Sequence, residues 1–320
     1  MKIGNIELKN NIAIAPLAGY TNLAYRKIMK EFGVGLVYTE MISAKGLLYE
    51  NDKTWELTTV DSNEHPVAVQ IFGGEIDDMI KATKLLDERS DCDIIDINMG
   101  CPVKKVLKSN AGSYLLLDED KIYEMVKAVV DNTKKPVTVK IRAGWDHKSI
   151  NCREVAKRIE EAGASMIAIH GRTKSDMYSG KVNLDYIKMV KESVNIPVFG
   201  NGDIKTVDDA IKMIEYTGVD GVMVARGTFG NPWLVRDLVD YFEGRPIKTP
   251  PTKEEKIAML KHHFEELLKI KCEKLAVLEM RTLAAWYVKG FSNAKEFKNK
   301  LIYVKTKEEL FELIENLWAK

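Results

Sequence analysis

Short, almost continuous apolar segments alternate with helical patterns between residues 12 and 225 of the chain. Each segment is rich in β-branched residues and is bounded by turn-forming residues, which is typical of strands in a parallel sheet that is covered by helices. The eight segments that we predict as strands are residues 12–16, 36–40, 67–72, 93–98, 137–141, 166–170, 197–200 and 221–225.

The segments between these strands carry the 3.6-residue period of amphipathic helices. Residues 118–134 place apolar side chains on one face, and residues 206–217 begin at an N-capping Thr206 and stop at Gly218. Eight strand–helix repeats within about 240 residues predict an α/β fold, the (β/α)8 TIM barrel. A doubly wound sheet is the alternative, but residues 17–20 read LAGY where that fold would carry a Gly-rich fingerprint.

The alternating pattern ends after residue 243. Residues 244–252 are rich in proline and predict a linker, and residues 253–320 carry only helical periodicity. We therefore predict a barrel domain over residues 1–243 and a small C-terminal helical bundle over residues 253–320. Two interpretations of the bundle stay open, a packing cap on the barrel or a platform for a macromolecular partner.

Composition excludes several classes of protein. Hydrophobic residues make up 45% of the chain and charged residues 30%, as in ordinary globular proteins. The N-terminus lacks the pattern of a signal peptide, and no apolar run approaches the roughly 18 residues of a membrane span. We therefore expect a cytoplasmic protein with no membrane partner, acting as a monomer.

The cysteine and charge patterns add less. The four cysteines form no C-x-x-C pair and predict free thiols, and we expect no metal site. Residues 251–320 hold 14 Lys and Arg against 11 Asp and Glu, so the tail is mildly basic. This charge favours a nucleic-acid partner only weakly.

Polar or reactive side chains follow seven of the eight predicted strands. Since the active site of a TIM barrel forms at the carboxyl ends of its strands, these side chains predict a ligand site. They are Glu40, Gln70, Asn98, Cys101, Lys140, Arg142, His170, Arg172, Asn201, Asp203 and Arg226.

The last two strand ends predict a phosphate site. Residues 200–203 read Gly-Asn-Gly-Asp and residues 225–227 read Ala-Arg-Gly, and barrels commonly bind phosphate after strands seven and eight. Small residues let backbone N–H groups approach an anion, and Arg226 can add a charged hydrogen bond. The alternative is that the glycines serve only tight turns.

Three side chains at the mouth each admit two roles. Lys140 could form a Schiff base or hold negative charge on a cofactor or intermediate. His170 could bind an anion or be a core histidine. Gln70 offers a donor and an acceptor that suit the amide-like edge of a ring such as the flavin pyrimidine, or it could be structural.

Cys101 follows the fourth predicted strand, between Gly100 and Pro102, which predict a sharp turn over the barrel mouth. A thiol with an ordinary pKa near ~8.5 is mostly protonated at neutral pH, which suits a proton donor. A nucleophile would need a lowered pKa, and the sequence shows no adjacent base. Cys101 is therefore predicted to donate a proton.

Over essentially its whole length the chain resembles the tRNA-dihydrouridine synthases. The residues Asn-Met-Gly-Cys-Pro at 98–102 are the signature of that family, and further matching segments occur in the family's order and spacing. These are residues 15–19, 69–73, 96–102, 139–142, 169–173, 200–204, 226–227 and 230–233.

The resemblance implies an FMN cofactor that is reduced by NADPH or NADH, and a uracil base of tRNA as the substrate. Hydride would pass from the flavin to C6 of the uracil while Cys101 protonates C5, and the base must first flip out of the folded RNA. The implied flavin site consists of Pro16, Leu17, Ala18, Gln70, Lys140, His170, Asn201, Gly202, Asp203, Ala225 and Arg226. The implied substrate contacts are Asn98, Arg172, Lys104 and, in the tRNA-binding tail, Arg281.

The residues by themselves leave other functions open. One is a flavin-dependent barrel that acts on a free pyrimidine, as dihydroorotate dehydrogenases do, although a free base needs no helical platform. Another is a non-redox lyase that uses Lys140 as a Schiff-base amine. A non-catalytic RNA-binding protein is a third, but it would leave the polar strand ends unexplained.

Overall fold

The structure is a computed structural model that describes residues 1–49 and 51–317. The chain divides into two compact units, Met1–Ala225 and Arg226–Lys320. The first unit contains the strands and the second is helical. Residues 318–320, the end of the predicted bundle, lie outside the described residues.

Within the described part of the first unit, a short hairpin precedes a parallel sheet in the order β3-β11-β10-β9-β8-β7-β6-β4, with β5 alongside β6. A bridge between Ala13 and Leu36 joins β3 to the start of β4, so the sheet closes on itself. The strands are β1 (Lys2–Ile3), β2 (Ile6–Glu7), β3 (Ile12–Ile14), β4 (Val37–Tyr38), β5 (Ile42–Ser43), β6 (Val67–Phe72), β7 (Ile94–Met99), β8 (Val137–Arg142), β9 (Met166–His170), β10 (Val198–Asn201) and β11 (Gly221–Val224).

The predicted TIM barrel is thus confirmed, and each predicted strand is present within two residues of its predicted bounds. Helices follow the barrel strands as the periodicity indicated. The predicted helix over 206–217 begins at Thr206, whose side chain and that of Asp209 form a capping box, and ends at Gly218 with a left-handed φ of 71°. The helices of this unit are α1 (Leu23–Glu31), α2 (Ala44–Leu48), α3 (Asp52–Trp55), α4 (Ile76–Arg89), α5 (Lys104–Leu107), α6 (Glu119–Val130), α7 (Cys152–Glu161), α8 (Leu184–Lys191) and α9 (Val207–Thr217).

The two-residue period of the strands sorts the interior of the barrel into layers. Along β7, Ile94 belongs to a fully buried apolar cluster that includes Ala68 and Met166. Asp96 and Asn98 follow on the same face, toward the carboxyl end of the strand. The interior is therefore apolar at the amino end of the strands and becomes polar toward the barrel mouth.

The second unit is a helical bundle. The apolar residues Ile257, Leu260, Phe264 and Leu267, spaced at the helical period that predicted the bundle, are buried in its core, together with Met280 and Leu310. The helices are α10 (Trp233–Phe242), α11 (Lys253–Ile270), α12 (Glu273–Tyr287), α13 (Ala294–Leu301) and α14 (Lys307–Glu315). Across the described residues, we find no helix long and apolar enough to cross a membrane.

The second unit begins before the predicted linker because residues 226–242 pack within it. The Phe229 ring lies edge-on to Trp286 with 5.3 Å between centroids. Gly230 lies so close to Trp286 that a Cβ atom would come within 2.4 Å of its carbonyl carbon. The compact units thus place the boundary earlier than residue 243, and the assignment of residues 226–243 to a barrel domain stays a prediction.

Candidate active site

Cys101 lies on the turn that follows β7, at the carboxyl end of the strand. The side-chain oxygen of Asn98 accepts hydrogen bonds from the backbone N–H groups of Gly100 and Cys101, at 3.2 and 2.9 Å. The backbone N–H and the hydroxyl of Ser113 both donate to the Cys101 carbonyl oxygen, at 3.1 and 2.9 Å. The turn predicted from the sequence is therefore held from two sides.

The Cys101 thiol is largely shielded from solvent. Only 9% of the residue is exposed, and it packs in an apolar cluster with Val106 and Ala111. Burial raises the pKa of the thiol, and the nearby positive charges of Arg142 and Lys140 offset this rise only in part. At neutral pH the thiol is therefore protonated.

Three polar side chains form a row across the barrel interior beneath this turn. Gln70, Asp96 and Thr138 are direct neighbours in the register of β6, β7 and β8, and all three are fully buried. Asp96 accepts hydrogen bonds from Gln70 Nε2 at 2.6 Å and from the Thr138 hydroxyl at 2.5 Å. Gln70 Oε1 accepts from Asn98 Nδ2 at 2.8 Å. Both ends of the Gln70 amide, which was predicted beside a flavin ring, thus bond to protein.

Asp96 is a carboxyl group within this buried row. Burial raises the pKa of Asp96 to about 7, although the hydrogen bonds from Thr138 and Gln70 and the charge of Lys140 act in the opposite direction. The carboxyl therefore titrates close to neutral pH.

Lys140 lies opposite Asn98 on β8 and is half-buried. Its Nζ donates to the side-chain oxygen of Asn201 at 3.1 Å, and Asn201 in turn donates to the Met223 carbonyl oxygen at 2.7 Å. Burial and the charge of Arg142 lower the pKa of Lys140 to about 8. Because Asn201 is neutral, the positive charge of Lys140 suits an anionic ligand.

Arg172 is buried rather than directed into solvent. Its Nη2 donates to the two carboxylate oxygens of Asp203 at 2.9 and 2.7 Å and to the Gly180 carbonyl oxygen, and its Nε donates to the Ser179 carbonyl oxygen. Its Nη1 lies 3.2 Å from Nε2 of His170. Arg172 therefore braces the loop over residues 173–183 from below.

The turn after β10, predicted to hold phosphate, has an unusual backbone. Gly202 has a φ of +131° and Asp203 a φ of +54°. A Cβ atom on Gly202 would lie 2.7 Å from Val182 Cγ2, so only glycine fits without displacement. Ala225 ends the first unit half-buried, and the predicted phosphate ligand Arg226 is an exposed first residue of the second unit.

The loop after β3 carries the predicted flavin contacts Pro16, Leu17 and Ala18, of which Ala18 is exposed. The Leu17 backbone N–H donates to the Thr21 hydroxyl at 3.0 Å. Buried Arg26 donates to the Thr21 carbonyl oxygen at 3.0 Å. The loop is therefore fixed by its own turn and by α1.

Two further predicted substrate contacts are Lys104 and Arg281. Lys104 is exposed at the start of α5, just after the Cys101 turn. Arg281, in the second unit, is half-buried and donates twice to the carbonyl oxygen of Val304, at 2.9 and 2.6 Å. Arg281 thus holds the turn between α13 and α14.

Asp96 and Thr138 were not assigned a role from the sequence, and Arg142 was named only among the strand-end side chains of the predicted ligand site. Asp96 and Thr138 have the same two-residue spacing as the predicted site residues on their strands, which could have indicated that they face the interior. Arg142 donates to the Gly100 carbonyl oxygen at 2.8 Å and to two carbonyl oxygens of the 173–183 loop.

Within the described residues, no cluster of three or more His, Cys, Asp or Glu side chains could hold a metal ion.

The fold and this site define a TIM-barrel protein with a polar site at the carboxyl ends of its strands. A family model described as dihydrouridine synthase matches residues 13–319. A probable tRNA-dihydrouridine synthase of Rickettsia conorii is 38% identical over 93% of this chain and 90% of the relative. The tRNA-dihydrouridine synthase B of Vibrio parahaemolyticus is 40% identical over 93% and 92%, and that of Pasteurella multocida is 39% identical over 93% and 90%.

The chain belongs to the dihydrouridine synthase family. Among solved structures, a 2-naphthoyl-CoA reductase complex is similar with a TM-score of 0.58 and 14% sequence identity, covering 77% of this chain and 52% of the other. At that identity the similarity concerns the fold alone.

Proposed function

We propose that the chain is a tRNA-dihydrouridine synthase, an oxidoreductase that saturates the C5–C6 double bond of a uridine in tRNA. Membership of the family and the names of its relatives support this reaction. The observation that carries the proposal is the buried Cys101 side chain on a turn at the carboxyl end of β7, where Asn98 holds the Cys101 backbone N–H and burial raises the pKa of the thiol.

Cys101 is the proton donor in this proposal. Saturating the double bond adds a hydride to C6 and a proton to C5, so the enzyme needs an acid that is protonated at neutral pH. Burial raises the pKa of Cys101 and keeps the thiol in its S–H form. A nucleophilic thiolate would require the opposite shift, so the environment favours proton donation.

The proposed cofactor is FMN, which would supply the hydride when bound and would be reduced by NADPH or NADH. The donor set fits an anionic group, because the half-buried ammonium of Lys140 is held by the neutral amide of Asn201. The turn over residues 200–203 can offer backbone N–H groups to a phosphate, since the Asp203 carboxylate is turned toward Arg172. The residues of the first unit that would hold FMN are Pro16, Leu17, Ala18, Gln70, Lys140, His170, Asn201, Gly202, Asp203 and Ala225.

The base itself would be held above the polar row. Asn98 keeps one N–H beyond its bond to Gln70, and that N–H can donate to a uracil oxygen. Arg172 contributes by bracing the loop over residues 173–183, in keeping with its buried pair with Asp203. Lys104, exposed on α5, is suited to a phosphate of the RNA backbone.

The second unit would contact tRNA through lysines around α13. Its exposed residues between 289 and 305 include Lys289, Lys295, Lys298, Lys300 and Lys305, with Tyr303 73% exposed among them. Cationic side chains around an aromatic ring suit an RNA backbone and an unstacked base. Arg281 supports this surface by holding the Val304 carbonyl oxygen.

The test is to purify the protein and to record its visible spectrum, then to assay NADPH oxidation with unmodified tRNA and with free uridine. We expect a yellow protein that oxidises NADPH and forms dihydrouridine on tRNA but not on free uridine. Equal turnover of free uridine would favour an enzyme of free pyrimidines. A colourless protein that takes up no FMN, together with a Lys140 adduct trapped by borohydride, would favour the Schiff-base lyase.

A further inference from the structure

A continuous series of hydrogen bonds connects Asp96, deep in the barrel, to the backbone of Cys101. Asp96 Oδ2 accepts from Gln70 Nε2 at 2.6 Å, Gln70 Oε1 accepts from Asn98 Nδ2 at 2.8 Å, and Asn98 Oδ1 accepts from the Cys101 N–H at 2.9 Å. Gln70 and Asp96 are fully buried and Asn98 is 7% exposed. Solvent is therefore poorly placed to replace any of these bonds.

The direction of the series is set at its two ends. The backbone N–H groups of Gly100 and Cys101 can only donate, so Asn98 must turn its oxygen toward them and its nitrogen toward Gln70. Gln70 must then turn its oxygen toward Asn98 and its nitrogen toward Asp96. An acceptor is required at the far end, and the Asp96 carboxylate provides it.

Without that acceptor, no orientation of the two amides would give all of their buried N–H groups a partner. A rotated Gln70 amide would turn its nitrogen toward the nitrogen of Asn98, and two facing donors cannot share a hydrogen bond. If Asn98 rotated as well, it would present N–H groups to the N–H groups of the turn. In either case a buried donor would lose its partner, which is costly in the barrel interior.

We propose that Asp96 is a positioning residue, which orients the amides of Gln70 and Asn98 and thereby holds the Gly100–Cys101 turn. The Thr138 hydroxyl, 2.5 Å from the other carboxylate oxygen, keeps Asp96 itself in place. The inference rests on the proposed function only where it concerns reduction of the base. The position of the Cys101 thiol can be measured without that reaction.

Two substitutions separate the acceptor from the charge. Asp96→Asn removes the charge but keeps one oxygen to accept from Gln70, while its amide nitrogen can donate to the Thr138 hydroxyl. Asp96→Leu is similar in size and has no acceptor. Asp91→Leu, at an exposed position near the start of β7, is the matched control for loss of a carboxylate.

The readout is the rate of alkylation of Cys101 by iodoacetamide, followed at each cysteine by peptide mass spectrometry from pH 7 to 9.5. A Cys272→Ser background removes the exposed thiol, whereas Cys92 and Cys152 are buried and report on the integrity of the fold. A change in the thiol pKa shifts the pH profile, while a released turn raises the rate at every pH.

For Asp96→Leu we expect alkylation of Cys101 to become roughly tenfold faster at every pH, the effect of losing about one hydrogen bond. Asp96→Asn and Asp91→Leu should stay close to the parent rate. Formation of dihydrouridine should fall in Asp96→Leu and be rescued in Asp96→Asn.

A parent-like rate in Asp96→Leu would overturn the proposal, and so would an equal increase in Asp96→Asn, because the charge rather than the acceptor would then matter. If Asp96→Leu exposes Cys92 or Cys152, Gln70→Leu breaks the same series one bond nearer Cys101, and an unchanged rate there would also overturn it. A parent protein that forms no dihydrouridine would contradict the proposed function while leaving the alkylation result to decide on Asp96.

Discussion

At the scale of single residues, burial sets the protonation of the groups on which the proposed chemistry depends. It raises the pKa of Cys101 and of Asp96, and it lowers the pKa of Lys140 to about 8. Burial is the largest cause of all three pKa shifts, because it disfavours the charged form of each group. The barrel mouth therefore holds a neutral acid beside a cation that is easily deprotonated.

Replacing Cys101 with Ala should remove the proton donor and leave the rest of the site in place. We expect the rate of base reduction to fall by roughly 10²–10⁴, the usual contribution of general acid catalysis, while flavin content and flavin reduction by NADPH stay unchanged. Single-turnover kinetics with tRNA measure the rate of base reduction, and the visible spectrum measures flavin content and flavin reduction. Cys152→Ala, at a buried cysteine on α7, is the control. Loss of flavin in Cys101→Ala would indicate a structural role instead.

The charge of Lys140 should make binding of an anionic cofactor depend on pH. Its ammonium form is present below the pKa of about 8 and is lost as the pH rises through it. We expect the dissociation constant of FMN to increase above pH 8 by up to about tenfold per pH unit, as linkage to one proton requires.

Lys140→Met should bind FMN more weakly at pH 7 and show little dependence between pH 7 and 9. Titration of flavin fluorescence measures the dissociation constant of FMN for the parent and for Lys140→Met. Lys157→Met, at an exposed position on α7, is the control. A pH profile that is the same in Lys140→Met and in the parent would show that another group is responsible.

At the scale of elements, buried arginines at the ends of β8 and β9 hold the loop over residues 173–183. Arg142 donates to the carbonyl oxygens of Thr173 and Met177, and Arg172 to those of Ser179 and Gly180. A loop of this length needs such anchors to keep a single conformation. Two strand-end residues that resemble ligand-binding groups in the sequence thus shape the wall of the site.

Breaking the Arg172–Asp203 pair should loosen this loop and destabilise the barrel. For Arg172→Leu we expect the free energy of unfolding to fall by about 3 kcal/mol, because the Asp203 carboxylate and the carbonyl oxygens of Ser179 and Gly180 would lose their donor. Asp203→Asn should cost less, because its side chain is 26% exposed. Urea unfolding measures the stability and hydrogen exchange of residues 173–183 measures the loop. A parent-like exchange rate would contradict the bracing role.

The Arg172–Asp203 pair also makes a pH-dependent contribution to the stability of the protein. Burial alone would raise the pKa of Asp203, but the hydrogen bonds from Val182 and Arg172 hold it below its usual value. The stabilisation is therefore present above the ordinary Asp pKa and is lost as the pH falls through the lower folded value.

At the scale of the whole molecule, the chain combines a barrel unit with a helical unit that has its own core. In the helical unit, Lys298 and Lys305 are exposed, and Arg281 and Val304 fix the turn between them. The exposed lysines that are proposed to contact tRNA therefore lie on both sides of a turn that Arg281 holds.

Reversing the charge at Lys298 and Lys305 should weaken tRNA binding. We expect the dissociation constant to rise by roughly tenfold or more and the dependence on salt to become shallower by about one unit per lost phosphate contact. Fluorescence anisotropy with labelled tRNA at several salt concentrations measures both. Lys9→Glu, at an exposed position before β3, is the control. Binding equal to the parent would place the RNA surface elsewhere.

Much of the fold could be predicted from the sequence because its signals are local. The apolar runs of the barrel strands and caps such as Thr206 depend on neighbouring residues alone. By contrast, the two-residue β5 is too short to carry a pattern. The compact-unit boundary also depends on long-range packing of Phe229 and Gly230 against Trp286, which no local pattern reports.

The sequence by itself determined the barrel, the strand ends and the turn that carries Cys101, because strand periodicity and chain order decide which residues reach the mouth. Only the tertiary structure decided what those residues do there. It turned Gln70 and Asn98 into a series of hydrogen bonds that ends at Asp96, and Arg172 into a brace. The reason is that a polar side chain's role depends on its partners on neighbouring strands, which lie dozens of residues away in the chain.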